Sequence, residues 1–373
     1  MRSSYRRLRF DIPLGLATIG LVTIGIVMVF SSSGYMAEET HHQMAYFLVQ
    51  QITGAAAGVL VVVLLLAIKK PFYLRPVFIY GFLAVSAFSL MLCLAMPSVA
   101  HTNRWILLPG FRFQPSELAK LSLILFLAWF CETRQDRLND WKVLAWPLGV
   151  LAVMIFLILM EPDFGTALVL AGLACLMLYI GGVKARNFAV LGTAVAVFFT
   201  LFLFSASYRI NRIQGFLSPA RDSLGNSYQV DQSKIAVGAG GTIGVGLGQS
   251  TQKLYFLPSA HTDFIYAIIG EETGMAGTVV TLVLFLVILW RGVRIALDAG
   301  DPTHKMIAAG ITFALVSQAL MNMSIVLGLG PTKGIPLPFV SYGRSSLLCS
   351  LAAAGLLLHI SQKKGESGLR VRR

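Results

Sequence analysis

The chain has 373 residues, of which 56% are hydrophobic and 13% charged, about half the charged share of an average soluble domain. Its 30 Lys and Arg against 17 Asp and Glu leave a formal charge of +13, a balance that fits a nucleic-acid binder as well as a membrane protein. Position decides: most charges sit in short clusters between apolar runs, so the expected class is an all-α polytopic membrane protein, and nucleic acid is not needed to explain the basic excess. Cys93, Cys131, Cys175 and Cys349 lie in or beside apolar segments without CxxC spacing, which argues against a disulfide framework or a zinc site. No Walker A loop, HExxH or GxSxG motif is present.

The first apolar run, from about Ile12 to Phe30, exceeds a signal-peptide core and no small-residue cleavage pattern follows, so it reads as a retained helix. Runs near 20 apolar residues then give ten spans: 12–31, 46–68, 74–96, 116–131, 143–160, 164–182, 188–206, 264–290, 306–329 and 339–360. With the N-terminus placed inside, two thirds of the Lys and Arg fall on cytoplasmic segments, among them Arg2, Arg6, Arg7 and Arg9 in the 1–10 tail. Lys363, Lys364, Arg370, Arg372 and Arg373 do the same in the 361–373 tail. Both termini are therefore expected in the cytoplasm.

Five of the ten exceptions, Arg209, Arg212, Arg221, Lys234 and Lys253, lie in one large extracytoplasmic loop, 207–263, between the seventh and eighth spans. Within it, 238–248 holds six glycines in eleven residues. That density serves either a flexible connector or a close backbone approach to a ligand.

Charged residues inside spans are rarer and more informative. Glu117 and Lys120 stand i and i+3 at the start of the fourth span, where they form an ion pair easing insertion or turn Lys120 toward an anionic diphosphate. His261, Thr262 and Asp263 open the eighth span. Thr262 or Asp263 is either a helix cap or, for Asp263, a carboxylate at the membrane–water boundary that a sugar can reach. Glu271 and Glu272, on a straight helix roughly 12 Å deeper, read as buried partners of outer-half Lys or Arg. Lys333, Arg344 and Ser345 belong to a Gly/Pro-rich segment, 330–346, expected to turn tightly against protein or water. Either cation there snorkels or points into that cavity. Trp105 and Tyr255 read as interface anchors more than as sugar platforms.

Several ordered segments together resemble the SEDS family (shape, elongation, division and sporulation). They are Asn103-Arg104-Trp105-Ile106, Gln114 to Lys120, Glu161-Pro162-Asp163-Phe164-Gly165-Thr166, Gly246 to Leu254, His261-Thr262-Asp263-Phe264, Gly270-Glu271-Glu272, Pro331 to Gly334 and Pro336 to Gly343. The likeness runs from Asp11 to about Gly355 and is closer to the cell-division branch than to the elongation branch. It implies a peptidoglycan glycosyltransferase of the cytoplasmic membrane, at the division septum, that polymerises lipid II onto an undecaprenyl-diphosphate-linked glycan. A class B penicillin-binding protein (transpeptidase) and other division proteins are the implied partners. It also implies that Asp263 is the catalytic residue and ranks Lys120 and Lys333 first among substrate contacts, with Arg104, Lys253, Glu117, Arg344, Ser345 and His261 beside them.

Turning an α-linked diphosphate into a β-1,4 glycoside takes one inverting displacement, hence a base for the acceptor hydroxyl and cations for the leaving diphosphate. Asp263 is the candidate base. No cofactor is identified from the residues; a divalent cation, Mg or Mn, beside Asp263 is compatible with this chemistry, although no dedicated ligand set is visible. The sequence departs from the family pattern at Ser259, where a glutamate is common, and at Arg344, where a glycine is usual. The competing readings are an elongation or sporulation polymerase, a lipid flippase or transporter, and a non-catalytic scaffold.

Overall fold

A computed structural model describes residues 10–96, 104–108, 111–204, 226–254, 256–331 and 333–370. Eleven α-helices make up nearly all of it. They are α1 (Ile12–His41), α2 (Tyr46–Ala67), α3 (Pro76–Leu94), α4 (Pro115–Thr133), α5 (Trp141–Met160) and α6 (Phe164–Ile180). After them come α7 (Ala185–Phe204), α8 (Asn226–Gly240), α9 (Ile265–Asp298), α10 (Pro302–Val326) and α11 (Arg344–Arg370). All ten apolar runs coincide with helices. Seven of these, α1, α2, α3, α5, α9, α10 and α11, are long and apolar enough to cross a membrane.

In segments this uniformly apolar, caps rather than periodicity set the helix starts. Asp11, Asp163 and Asp301 each accept a main-chain N–H from the first turn of α1, α6 and α10, satisfying donors that no helical partner can reach. Pro13, Pro115 and Pro302 occupy first-turn positions whose N–H would be orphaned in any case.

The core is built around α10 and α4. α10 packs on α9, α4, α6 and α11, while α11 lies along α2 and α1 fills the angle between α2 and α9. Most α4 side chains are buried, Glu117 and Lys120 among them, and their mutual pairing is why this charged helix can sit among apolar neighbours. Among the described residues the helical prediction meets one pair of strands: β1 (Ile106–Leu108) and β2 (Phe111–Phe113) pair antiparallel just before α4.

Two boundaries differ from the apolar pattern. α1 continues ten residues past Ser31, to His41, through polar sequence. α9 runs past the predicted end at residue 290 because Arg291 is neutralised, its guanidinium donating through Nε to both oxygens of Asp11 at 3.0 Å. A polar clasp thus holds the ends of α1 and α9 together.

The eighth span also proves not to be one straight rod: α9 breaks at Gly274, where φ is 67° and ψ −161°. The glycine-rich segment fits into that break. Met275 and Ala276 donate N–H bonds to the carbonyls of Gly241 and Thr242, while Val245 and Gly246 donate to the carbonyls of Glu271 and Glu272. The open helical turn therefore has its main-chain groups satisfied by another stretch of backbone, the condition for irregular structure at membrane depth.

Of the two readings of 238–248, close approach is what the fold uses, with the chain's own helix as the object approached. A methyl group on Gly240 would lie 1.9 Å from the Gly270 carbonyl oxygen. Gly240→Ala is expected to lower stability by about 1–3 kcal/mol through overpacking against main chain. Gly192→Ala, in open space on α7, should not; thermal unfolding of the two variants in one detergent checks the contrast. Residues 207–225 of the large loop, with Arg209, Arg212 and Arg221, and Tyr255 lie outside the described residues.

Candidate active site around Asp263

The turns leading into α9, the loop between α10 and α11, and the start of α6 meet at one point. Asp263 ends a tight turn in which the Ser259 carbonyl accepts the N–H groups of Thr262 and Phe264, with Ser259 at φ 59°. The opposing loop is stitched to it. The Tyr342 N–H donates to the His261 carbonyl at 3.0 Å, and the Ser341 hydroxyl donates to the Thr262 carbonyl at 2.6 Å. This sets Gly334 against Asp263.

Gly334 is where the segments converge. A methyl group on its Cα would lie 3.0 Å from Oδ2 of Asp263 and 3.3 Å from Nη1 of Arg104. The missing side chain leaves room for an acid and a guanidinium on one patch of backbone. Arg104 is held from behind by the carbonyls of Glu161 and Pro162, and its Nε lies 3.9 Å from the Asp163 carboxylate. Asp163 in turn takes the Thr166 hydroxyl at 2.8 Å. The Lys333 ammonium sits 4.9 Å above the Phe164 ring at the same end of α6, a favourable cation–π position.

The electrostatics separate the acids. Burial raises the Asp263 carboxyl to about 6; Arg104 opposes the rise and Asp163 adds to it. At neutral pH about nine tenths of it is ionised yet basic enough to accept a proton. Glu161 differs: it is fully buried, and both its carboxyl oxygens lack a hydrogen-bond partner among the described residues. Burial foremost, and then Asp163, push its acid to about 9, so it stands neutral at pH 7. His261 is lowered to about 4 by burial, its ring packed between Phe47 and Tyr342. It is uncharged at neutral pH and acts here as a wall, not as a cation.

The other residues singled out from the sequence are distributed around this centre. Lys120 is buried and donates to Glu117 at 2.9 Å and to Gln318. Gln318 lies one turn, about 6 Å, deeper on α10 than Asn322, which itself touches the Asp263 main chain. Lys120 therefore underlies the site. Lys253 lies elsewhere: its ammonium pairs with Glu272 at 2.8 Å, and Ser31 of α1 donates to the same carboxylate. Glu271 meanwhile accepts the Ser250 and Thr251 hydroxyls. Both glutamates thus clamp the 250–253 turn onto α9; Glu272 has the outer-half lysine expected of it, whereas Glu271 is satisfied by hydroxyl and main-chain donors instead of a cation.

Arg344 is the first residue of α11, and its stem crosses Gly54 of α2, where an added methyl would meet Arg344 Cγ at 3.0 Å. The glycine that permits close approach is on the facing helix, which explains how arginine fits at a position usually glycine. Ser345 accepts the Gln114 N–H and pins the β-hairpin to α11.

Glu161, Asp163 and Asn322 were not among the sequence candidates. The Glu-Pro-Asp turn was a visible signal for the first two; Asn322, inside an apolar run, gave only its polarity.

The ion pair of α4 yields a test. Lys120→Met leaves Glu117 buried without its cation and is expected to cost about 3–5 kcal/mol. Adding Glu117→Gln should recover most of that, and thermal melts of the single and double variants measure it. If the stable double variant still fails to turn over, Lys120 has a task beyond neutralising Glu117.

A buried carboxyl beside Arg104, with Lys333 at the neighbouring end of α6, among helices long and apolar enough to cross a membrane, defines the class: a membrane-embedded protein with an acid and cations gathered at one end of its helices. Residues 14–366 match the FTSW_RODA_SPOVE family of cell cycle proteins. This chain belongs to that family.

It is 41% identical over 368 residues to the probable peptidoglycan glycosyltransferase FtsW of Trichlorobacter lovleyi, covering 97% of this chain and 95% of the relative. It is 38% identical to the stage V sporulation protein E of Bacillus subtilis, covering 94% and 97%. Among solved structures, a chain of a peptidoglycan synthase complex superposes with a TM-score of 0.80 at 27% identity, covering 96% of this chain and 99% of that one. The rod shape determining protein RodA of Thermus thermophilus superposes with a TM-score of 0.68 at 24% identity, with coverage of 96% and 98%, and shares the fold.

Proposed function

We propose that this protein is a peptidoglycan glycosyltransferase that polymerises lipid II at the outer face of the cytoplasmic membrane. The observation that carries the reading is the convergence on Gly334 of a basic carboxylate, Asp263, with the Arg104 guanidinium, Lys333 standing at the neighbouring end of α6. The family relationship supplies the substrate class.

Asp263 takes the proton from the 4-hydroxyl of the incoming lipid II as that oxygen attacks the anomeric carbon. The electron pair of the breaking C–O bond leaves with the undecaprenyl diphosphate, and one in-line step inverts the centre. Arg104 and Lys333 stabilise the charge that develops on the departing oxygen, the role preorganised cations perform best in a site closed to water. Neutral Glu161 keeps a further negative charge away from that group.

A divalent cation beside Asp263 would have Asp163 and Asp263 to hold it. Among the described residues no cluster of three or more His, Cys, Asp or Glu is arranged as a metal site, so each step is assigned to protein groups.

In this reading the ten apolar helices are ten crossings with both termini in the cytoplasm, and the basic tails support that orientation. Asp263 then opens on the outer leaflet. The apolar outer faces of α2, α3 and α9, with Val63, Val85 and Val283 exposed, face lipid and the single span of a class B penicillin-binding partner. High identity to proteins named FtsW favours the division septum as the place of work.

The test is polymerisation of purified lipid II by this protein with its transpeptidase partner, moenomycin present to silence classical glycosyltransferases. Glycan strands that depend on Asp263 are expected. A protein that moves lipid II between leaflets without lengthening strands would instead be a transporter.

A further inference from the structure

The groups described so far hold the reacting atoms, but something must hold Asp263 relative to the cations, because it lies on a turn and Lys333 and Gly334 lie on a different loop. One buried side chain touches both. Asn322, on α10, donates through Nδ2 to the main-chain carbonyl of Asp263 at 2.7 Å and to that of Ile335 at 2.7 Å. Both acceptors are carbonyls, so the amide orientation is fixed: Nδ2 must face them. The remaining oxygen is buried and has no hydrogen-bond partner among the described residues.

A purely structural asparagine in an apolar helix would be expected to satisfy both ends. This one spends its two hydrogens on the two loops that carry the site. One turn deeper on the same face, Gln318 repeats the pattern, with Nε2 donating to the Pro336 carbonyl at 3.0 Å and Oε1 accepting from Lys120.

We propose that Asn322 is a positioning residue for the transfer reaction, tying the main chain at Asp263 to the main chain immediately after Gly334 so that base and cation keep one separation. The proposal rests on Asp263 being the base. A buried amide with both hydrogens engaged is well suited to this task, because a displacement on the order of 1 Å at a reacting group costs about 10²-fold in rate. Asn322 itself does not touch the reacting atoms.

The groups that face Asp263 are Arg104 before β1 and Asp163 at the start of α6, with Lys333 at that end of α6. Loosening the turn exposes the carboxyl to water and moves it back toward the ordinary aspartate range.

The test uses full-length protein with its transpeptidase partner and measures lipid II polymerisation per folded molecule from pH 5 to pH 8. Asn322→Leu keeps the volume and removes both donors. The expected result is a kcat at least fivefold lower, a KM for lipid II within twofold, and an acidic limb displaced downward from about pH 6. Should Asn322→Leu not accumulate, Asn322→Ala removes the same donors without adding charge and is judged by the same criteria.

Ser233→Ala is the stability control: it removes a buried hydrogen bond to the Val326 carbonyl, at the end of the same helix, and should leave kcat and the limb in place. A kcat reduced less than fivefold, or an acidic limb still at wild-type pH, overturns the proposal. Asp263→Asn is run alongside. If that variant is active, the base assignment has failed; if it is inactive while Asn322→Leu behaves as wild type, only the positioning role has.

Discussion

Asp263→Asn is expected to remain folded, to bind lipid II and to polymerise it about 10²–10⁴-fold more slowly, the range that a positioned general base contributes. The amide matches the carboxylate in shape, and the main-chain hydrogen bond from Asn322 does not depend on the side chain. The wild-type protein makes the same point through pH. The active form of the base is the carboxylate, and its pKa is raised to about 6. The rate should therefore be flat above about pH 7 and fall tenfold per unit once the pH is well below 6. An unperturbed aspartate would hold its rate to about pH 4. A limb near 4 in kcat/KM would show that the carboxyl is solvated in the working enzyme; a rate independent of Asp263 would remove it from the mechanism.

The second large effect comes from a residue with no side chain. At Gly334 an added methyl would press on Oδ2 of Asp263 at 3.0 Å and on Arg104 at 3.3 Å. The ends of side chains yield more easily than backbone, so the fold tolerates Gly334→Val and the base and guanidinium are what move. The expected signature is a kcat lowered by about 10²-fold with a melting temperature close to wild type. Gly172→Ala, on α6, presses on the Phe313 ring at the same 3.3 Å but away from Asp263, and should leave the rate unchanged. Equal losses in the two variants would make Gly334 a general packing position.

These two residues illustrate unequal legibility. Asp263 stands out in the amino-acid string itself, because a carboxylate at the head of an apolar run is costly and therefore conspicuous. Gly334 is visible there only as part of a turn-rich stretch, since the groups it accommodates lie about 70 and 230 positions away along the chain. The apolar runs specify the helices, because twenty uninterrupted nonpolar residues admit few alternatives. They do not show the break at Gly274: a glycine amid Glu-Glu-Thr-Gly-Met leaves hydropathy almost unchanged, and its complement lies about thirty residues upstream. Lys253 and Lys120 are legible as unusual cations, and the pairing of Glu272 with an outer-half lysine is expected. Which cation takes which acid is not, because ion pairs across a bundle depend on helix rotation, which a 56% hydrophobic sequence scarcely encodes.

The division of α9 at Gly274 has a mechanical meaning. The 24 residues after it are anchored at their far end through Arg291 and Asp11, whereas the short piece before it follows directly on Asp263. A joint lies between them, braced sideways by the glycine strap. The strap is hydrogen-bonded to both pieces, through Gly241 and Thr242 to the long one and through Val245 and Gly246 to the short one, so a second stretch of main chain sets the angle at Gly274 and with it the direction in which the short piece presents Asp263.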